Sequence, residues 1–127
     1  MRDRYFSLQE ANALLPRLRI LLTELQRIRE AIVTAQPEFV PVLEASVTNG
    51  GSPQASAMFL RFGQVETVVE EIRGTGCQLK DVQMGLVDFL HRRPDGRTVL
   101  LCWRLGEDEV GFWHDLDSGY QSRQPLA

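Results

Sequence analysis

A chain of 127 residues with a formal net charge of −3 has the length of one domain and lacks the basic excess typical of nucleic-acid-binding domains. Its composition, 43% hydrophobic and 24% charged, is that of an ordinary globular protein, and no apolar run approaches the roughly 18 residues of a membrane span. We therefore expect one domain over residues 1–127, with no membrane partner and with nucleic acid disfavoured as a ligand.

The two cysteines, Cys77 and Cys102, do not have the spacing of a disulfide framework or of a clustered metal motif. The first residues, MRDRYFSLQEANALL, contain charges but no apolar signal core. Both features are typical of a protein in a reduced, cytoplasmic compartment. Cys102 stands in the apolar run TVLLCW, where we expect its thiol to act as a small hydrophobic group.

The first helical segment is predicted over residues 7–36. Ser7 and Glu10 form a capping box, in which each side chain accepts the backbone N–H of the other residue. Pro16 interrupts the segment, because a proline inside a helix removes one hydrogen bond and clashes with the preceding turn. We expect a kink there, or a short helix followed by a longer one. Apolar residues recur at steps of four and three: Leu14, Leu18, Leu21, Leu25, Ile28 and Ile32.

A second helix is predicted over residues 54–74, after a loop at 37–53 that contains three prolines and the turn sequence NGGSP. Its apolar residues repeat the same spacing at Met58, Phe62, Val65, Val69 and Ile72. Two helices with matching apolar seams predict an antiparallel helical hairpin. Such a seam can also pack against a second copy of the chain.

Residues 80–117 change to a period of two, which is typical of β-strands. The turn sequences RRPDGR and GEDE divide this region into three strands, and residues 118–127 form a polar tail that we expect to cover a sheet edge. The predicted fold is α+β, an antiparallel helical hairpin packed on a three-stranded antiparallel β-meander. Open sheet edges and a wide apolar helix face predict a homodimer through the hairpin or a sheet edge.

Asp88, Arg104 and His114 interrupt the apolar pattern of these strands. Facing residues in neighbouring strands lie about 5 Å apart, so these side chains, or Asp115 in place of His114, can meet across the sheet. The sequence does not fix the register, because turn length shifts it by a residue. The simplest interpretation is a structural ion pair between Asp88 and Arg104.

A small-molecule pocket is the second interpretation. Arg104 or Arg123 would hold a carboxylate or phosphate, His114 would act as an acid, a base or a hydrogen-bonding group, and a tryptophan would form a flat wall. The candidate ligand-binding residues are Asp88, Trp103, Arg104, Trp113, His114, Asp115 and Arg123.

A metal site is the third interpretation. His114 with Asp88, Asp115 or Asp117 supplies suitable ligand types, but none of their spacings is that of a known motif. We therefore predict no cofactor and keep a divalent metal as the lesser alternative. The chain also lacks phosphate-loop, nucleophile-elbow and zinc-protease signatures, so no catalytic residue is predicted.

Several segments of the chain resemble a family of small bacterial proteins catalogued as domain of unknown function number twenty-two-oh-three. They are YFSLQEANALLPRL near the start, and LKDVQMGLVDF and VLLCWRLGEDEVGFWHDLDSGYQSRQPL towards the end. The resemblance covers nearly all of the chain outside residues 37–53. It implies a small, usually stand-alone bacterial protein and carries no assigned reaction. The long shared polar signature favours a functional surface over a generic sheet face.

Two classes of function remain open. The first is a dimeric binding or regulatory module, which recognises a small anionic ligand or a protein partner through the polar face of the sheet. The alternative is a small hydrolase- or lyase-like enzyme that uses Asp88, Arg104 and His114, with or without a metal. No activated nucleophile is visible, which favours the module, but the sequence does not decide whether the protein is an enzyme.

Overall fold

The computed structural model describes residues 4–35 and 53–126 of the chain. Two helices, α1 (Leu8–Ala35) and α2 (Pro53–Gly74), precede the strands. The strands are β1 (Gln78–Asp81), β2 (Leu86–Arg92), β3 (Thr98–Arg104), β4 (Phe112–His114) and β5 (Gln124–Pro125), and a 3₁₀ turn at Tyr120–Ser122 lies between β4 and β5. The strands form one antiparallel sheet in chain order, so the fold is α+β, as predicted. Neither helix has an apolar stretch long enough to cross a lipid bilayer.

The start of α1 confirms the predicted capping box. The Ser7 N–H donates to Glu10 Oε1 at 2.8 Å, and the Glu10 N–H donates to Ser7 Oγ at 3.0 Å. Pro16 lies inside α1, which is one helix, so the alternative of a short helix followed by a longer one is wrong. The predicted helix end at residue 36 and the loop at 37–53 lie outside the described residues, except for Pro53, where α2 begins.

The two helices pack against each other in opposite directions. Arg17 in α1 pairs with Glu71 near the end of α2 at 3.2 Å, while Ile32 near the other end of α1 packs against Met58. The most deeply buried members of this layer include Leu18, Leu22, Leu25 and Ile72. Burial of one such side chain contributes roughly 1.5–3 kcal/mol, so the apolar seams hold the helix layer in place.

The sheet has five strands, so the predicted three-stranded meander, which β2, β3 and β4 form, understates it by two. β1 follows α2 closely and pairs with β2, while β5 returns along the free edge of β4. Residues 82–85, which were expected within a strand, form a turn, in which the Met84 N–H donates to Asp81 Oδ1 at 2.9 Å. Neither added strand has a clear two-residue period, because β1 is the short polar sequence QLKD and β5 has only two residues.

The sheet has an inner face against the helices and an outer face turned away from them. The inner-face side chains join the main hydrophobic core: Val87, Phe89, Val99, Leu101, Trp103 and Trp113. Strand alternation places the remaining side chains of β2, β3 and β4 on the outer face. The segment after β4 crosses this face, since the Arg123 guanidinium lies 4.0 Å from the centre of the Phe112 ring. The central strand β3 is therefore covered on both sides, which accounts for its continuous apolar sequence.

Candidate functional site

The outer face contains a cluster of three buried polar side chains, Asp88, Cys102 and His114, which we call the buried triad. They come from the three adjacent strands β2, β3 and β4, and Asp88 lies directly opposite Cys102 in the register. Each side chain offers one atom that can bind a metal: a carboxylate oxygen, the thiol sulfur and an imidazole nitrogen. These three atoms all lie within 4.8 Å of one another. Exposure is 2% for Asp88, 0% for Cys102 and 2% for His114, so the cluster is shielded from bulk water.

The hydrogen bonds of His114 define where the protons lie. Its Nδ1 is 2.8 Å from the carbonyl oxygen of Asp115, which can only accept, so Nδ1 carries a proton. Its Nε2 is 2.9 Å from Asp88 Oδ2, and this contact needs one further proton. That proton makes the pair either imidazolium with carboxylate or imidazole with carboxylic acid. The pair has no net charge in either form, which makes its burial tolerable.

The Asp88 carboxyl group is only partly satisfied. Burial raises its pKa, while the charge of His114 and the Cys102 thiol act in the opposite direction. Its second oxygen, Oδ1, is buried, and no group in the described residues forms a hydrogen bond of normal geometry with it. An unsatisfied buried oxygen costs roughly 1–3 kcal/mol, so it calls for an explanation, and a bound ion is one.

The Cys102 thiol is not an activated nucleophile. Burial raises its pKa to about 12, and the nearby Asp88 carboxylate contributes in the same direction. A nucleophilic cysteine needs a lowered pKa or an adjacent base. Both nitrogens of His114 are engaged with Asp115 and Asp88, so the histidine is not placed to accept the thiol proton.

A second group of side chains fixes the tail over the triad. We call Glu107, Phe112, Tyr120 and Arg123 the tail clasp. Arg123 donates to both carboxylate oxygens of Glu107, at 3.0 and 2.6 Å, and its guanidinium lies between the Phe112 and Tyr120 rings, 4.0 and 4.4 Å from their centres. Its Nη1 is also 4.0 Å from the Cys102 sulfur. The clasp thus connects the turn after β3 to the tail and closes one side of the triad.

Arg104 does not form the expected ion pair with Asp88. The register places Arg104 opposite Leu86, whereas Asp88 lies opposite Cys102 and bonds to His114. The Arg104 guanidinium is exposed and donates to the Tyr120 hydroxyl at 3.1 Å. It therefore lies at the edge of the outer face, beside the clasp.

The two tryptophans lie on the opposite side of the sheet from the triad. Trp103 and Trp113 alternate with Cys102 and His114, so both face the helices and belong to the core. The Trp103 indole N–H donates to the Glu107 carbonyl at 3.0 Å, which satisfies it. Neither tryptophan can form a wall of a pocket built on Asp88 and His114.

The acidic residues after β4 have separate roles. The carboxylate of Asp115 pairs with Arg97, and only its backbone carbonyl contacts His114. Asp117 is exposed and does not join the cluster. Within the described residues, the side chains that could bind a metal together are Asp88, Cys102 and His114. Of the predicted candidates, the structure thus brings Asp88 and His114 together, while Arg123 reaches only the Cys102 sulfur of the triad, at 4.0 Å.

Sequence reasoning missed Cys102, Glu107 and Tyr120. Cys102 was interpreted as a hydrophobic residue, although strand alternation already placed it on the same face as Arg104. The positions of Glu107 and Tyr120 depend on how a turn and the tail fold back on the sheet, and no periodic pattern records this. Carboxylate, thiolate and imidazole are all ligands of transition metals, so the buried triad is the part of the described chain where a metal could be held.

Comparisons with known proteins agree with the family resemblance of the sequence. A relative named Cell division protein FtsQ, from Streptomyces collinus, is 37% identical over 89 residues, which cover 64% of this chain and 32% of that protein. The chain thus spans about a third of the length of that relative. No solved structure matches the chain significantly. Residues 4–126 match a family model, and the chain belongs to the family described as Uncharacterized conserved protein (DUF2203).

Proposed function

We propose that this protein is a binding module that recognises an anionic group at the edge of its outer sheet face, through Arg104. The observation that carries the proposal is an oriented guanidinium without a counter-charge. Among residues 4–35 and 53–126, no carboxylate forms an ion pair with Arg104, and the Tyr120 hydroxyl holds its guanidinium in place. By contrast, Glu107 neutralises the neighbouring Arg123.

The chemistry of the guanidinium defines the class of ligand. Its planar fork of N–H groups matches the two oxygens of a carboxylate or phosphate, and a pre-oriented fork loses less entropy on binding. Tyr120 lies alongside, with its ring centre 5.9 Å from the Arg104 guanidinium carbon, and it adds a flat surface. A small anion and an acidic side chain of a partner protein share this chemistry.

A hydrolase or lyase is the less well supported alternative. It would need Asp88, His114 or Cys102 to reach a substrate, yet these side chains are at most 2% exposed. It would also need a group poised to transfer a proton, whereas both His114 nitrogens already have partners. Binding requires neither condition, which is why we favour the module.

We further propose that the module self-associates through its helix pair. Ile20 and Leu60 are each 72% exposed, and each lines a hollow bordered by Glu24. In a two-fold dimer the same patch meets itself, so its rim must be self-complementary. This rim carries both signs of charge, with Arg27 and Glu24 side by side on α1. A second copy of the chain is therefore the occupant that this surface suits.

A cytoplasmic location belongs to the same proposal. Cys77 and Cys102 are both free and buried, which suits a compartment where thiols stay reduced.

The test of the anion site is an NMR titration of the full chain with inorganic phosphate and, separately, acetate. We expect saturable amide shifts centred on Arg104 and Tyr120, and their loss in Arg104→Gln. Arg92→Gln is the matched control, because the Arg92 guanidinium also lies on a tyrosine ring, that of Tyr5, at 4.6 Å. Shifts that persist in Arg104→Gln, or that vanish equally in the control, contradict the proposal.

A further inference from the structure

We propose that the buried triad is a binding site for one divalent transition-metal ion of the zinc type, with Asp88, Cys102 and His114 as its protein ligands. The inference goes beyond the anion-recognition surface and does not depend on it, because the Arg104 guanidinium donates to Tyr120 and is not a ligand in the proposed site. It keeps His114 and Asp88 from the metal site considered from the sequence, in which Asp88, Asp115 or Asp117 accompanied His114, and it adds Cys102 as a third ligand.

The donor set and its spacing fit such an ion. Zinc is bound by cysteine sulfur, histidine nitrogen and carboxylate oxygen at roughly 2.0–2.3 Å, which places tetrahedral ligand atoms about 3.3–3.7 Å apart. The three donor atoms of the triad already lie within 4.8 Å of one another. Small side-chain rotations that move these atoms by about 1 Å would bring them to the spacing that zinc requires. Since the ligands sit on three hydrogen-bonded strands, the backbone that carries them is already organised.

The orientation of His114 is that of a metal ligand. Histidines that bind metals almost always donate their second ring N–H to a carbonyl or carboxylate, which fixes the ring and its tautomer. His114 donates Nδ1–H to the Asp115 carbonyl at 2.8 Å, and this leaves Nε2 facing Asp88 inside the triad.

Charge balance in the buried space also favours a divalent ion. Without the ion, the triad holds two exchangeable protons, one on the His114–Asp88 contact and one on the Cys102 sulfur. Binding of one M²⁺ releases both as H⁺, breaking the S–H bond and the shared N–H or O–H bond while bonds from the metal to sulfur, nitrogen and oxygen form. No electron is transferred, and the net charge of the site is unchanged. The nearby Arg123 adds no uncompensated charge, because Glu107 pairs with it.

The unpartnered oxygen of Asp88 is an independent observation that indicates a ligand. Asp88 Oδ1 is buried, and within residues 4–35 and 53–126 no group forms a hydrogen bond of normal geometry with it. A cation bound between the three side chains would sit next to this oxygen and could be chelated by both carboxylate oxygens. The cost of leaving Oδ1 unsatisfied would then disappear on binding.

The experiment uses the full chain after treatment with a chelator, titrated with Co²⁺ and then with Zn²⁺. We expect one Co²⁺ per chain, with an ultraviolet thiolate-to-cobalt charge-transfer band that Zn²⁺ abolishes. Zn²⁺ should release two protons per chain, read with a pH indicator in weak buffer, and should raise the thermal denaturation midpoint. Absence of saturable binding, a cobalt spectrum without the thiolate band, or a release of no protons would overturn the proposal.

Variants then locate the site. Cys102→Ser should lose the charge-transfer band. Cys102→Ser and Asp88→Asn should each weaken Zn²⁺ binding by more than the roughly 10–100-fold that loss of an outer-shell partner costs, because each removes a direct ligand. The matched control is Cys77→Ser, because Cys77 is the other buried free cysteine and its thiol contacts the Ile72 carbonyl. Binding that survives in Cys102→Ser, or that is lost in Cys77→Ser, would overturn the assignment. If Cys102→Ser does not fold, the wild-type charge-transfer band and proton count decide the question.

Discussion

The imidazole of His114 and the carboxyl group of Asp88 hydrogen-bond at 2.9 Å, although their strands, β4 and β2, are not neighbours in the sheet. The contact passes diagonally over β3, where Cys102 lies opposite Asp88. Three chemically versatile side chains thus share one buried space, and Cys102 lies beneath the Arg123 guanidinium. If this face served only for packing, it could have been entirely apolar, without these three side chains.

Substitutions of the pair should have unequal effects on the stability of the metal-free protein. In Asp88→Asn, the amide can donate to Nε2 of a neutral His114, so we expect a change in unfolding free energy within about 1 kcal/mol. In His114→Ala, the Asp88 carboxyl group loses its partner and a cavity opens, and we expect a loss of about 3 kcal/mol. Urea denaturation measures both.

A stability loss of several kcal/mol in Asp88→Asn would indicate that the triad exists to hold the fold together. Retained stability with lost metal binding is the pattern of a functional site, since such sites commonly add little to stability. Asp88→Asn therefore separates a structural hydrogen bond from a ligand site.

The capping box gives a pH-dependent prediction. The hydrogen bond from the Ser7 backbone N–H is the largest cause that lowers the pKa of Glu10, followed by the bond with the Ser7 hydroxyl. A carboxyl group whose pKa is lower in the folded state stabilises the protein above its unfolded pKa, and this contribution disappears as pH falls through the folded pKa. The stability difference between wild type and Glu10→Gln should therefore be smaller at pH 3 than at pH 7. Urea denaturation at the two pH values measures it, and a constant difference would contradict the prediction.

The tail clasp should show measurable coupling between its two charged members. Arg123 and Glu107 are only 13% and 24% exposed and are joined by two parallel hydrogen bonds. A double-mutant cycle with Glu107→Ala and Arg123→Ala should give a coupling energy of about 1–2 kcal/mol. The exposed pair Arg17–Glu71 is the control, with an expected coupling below about 0.5 kcal/mol. Equal coupling in the two cycles would show that the clasp is an ordinary surface contact.

Self-association should depend on the exposed apolar residues of the helix pair. Sedimentation equilibrium of the wild-type chain should give twice the 14.4 kDa chain mass. Ile20→Glu and Leu60→Glu should each shift the protein to the monomer mass, because they place charges in an apolar contact. Leu116→Glu is the control, since Leu116 is also exposed, at 56%, but lies in the turn after β4 rather than on a helix. A monomeric wild type, or a dimer unaffected by both helix variants, would contradict this interface.

The helices could be predicted closely because their signals are local. The Ser7–Glu10 capping box and the recurrence of apolar residues at steps of four and three can both be recognised in the sequence. In the structure the capping box forms, and Leu18, Leu25 and Ile72 are buried. The sheet was underestimated for the same reason, since β1 and β5 are too short and too polar to show a period.

The site was less predictable because it depends on register and on the path of the tail. Strand alternation was enough to propose Asp88 and His114, but it did not reveal that Arg104 lies opposite Leu86. The interpretation of Cys102 as a hydrophobic residue followed from its apolar neighbours in sequence. In the folded chain its thiol lies close to Asp88 and Arg123, two polar neighbours that the local sequence does not reveal.

Native mass spectrometry of the full chain after incubation with Zn²⁺, measured beside its denatured mass and beside Asp88→Asn, tests the buried site most directly. Our account predicts one zinc per chain in the native spectrum, with the added mass reduced by two protons, and no such adduct in Asp88→Asn. A wild-type spectrum without the adduct, or an adduct that remains in Asp88→Asn, would contradict the assignment of Asp88, Cys102 and His114 as a metal site.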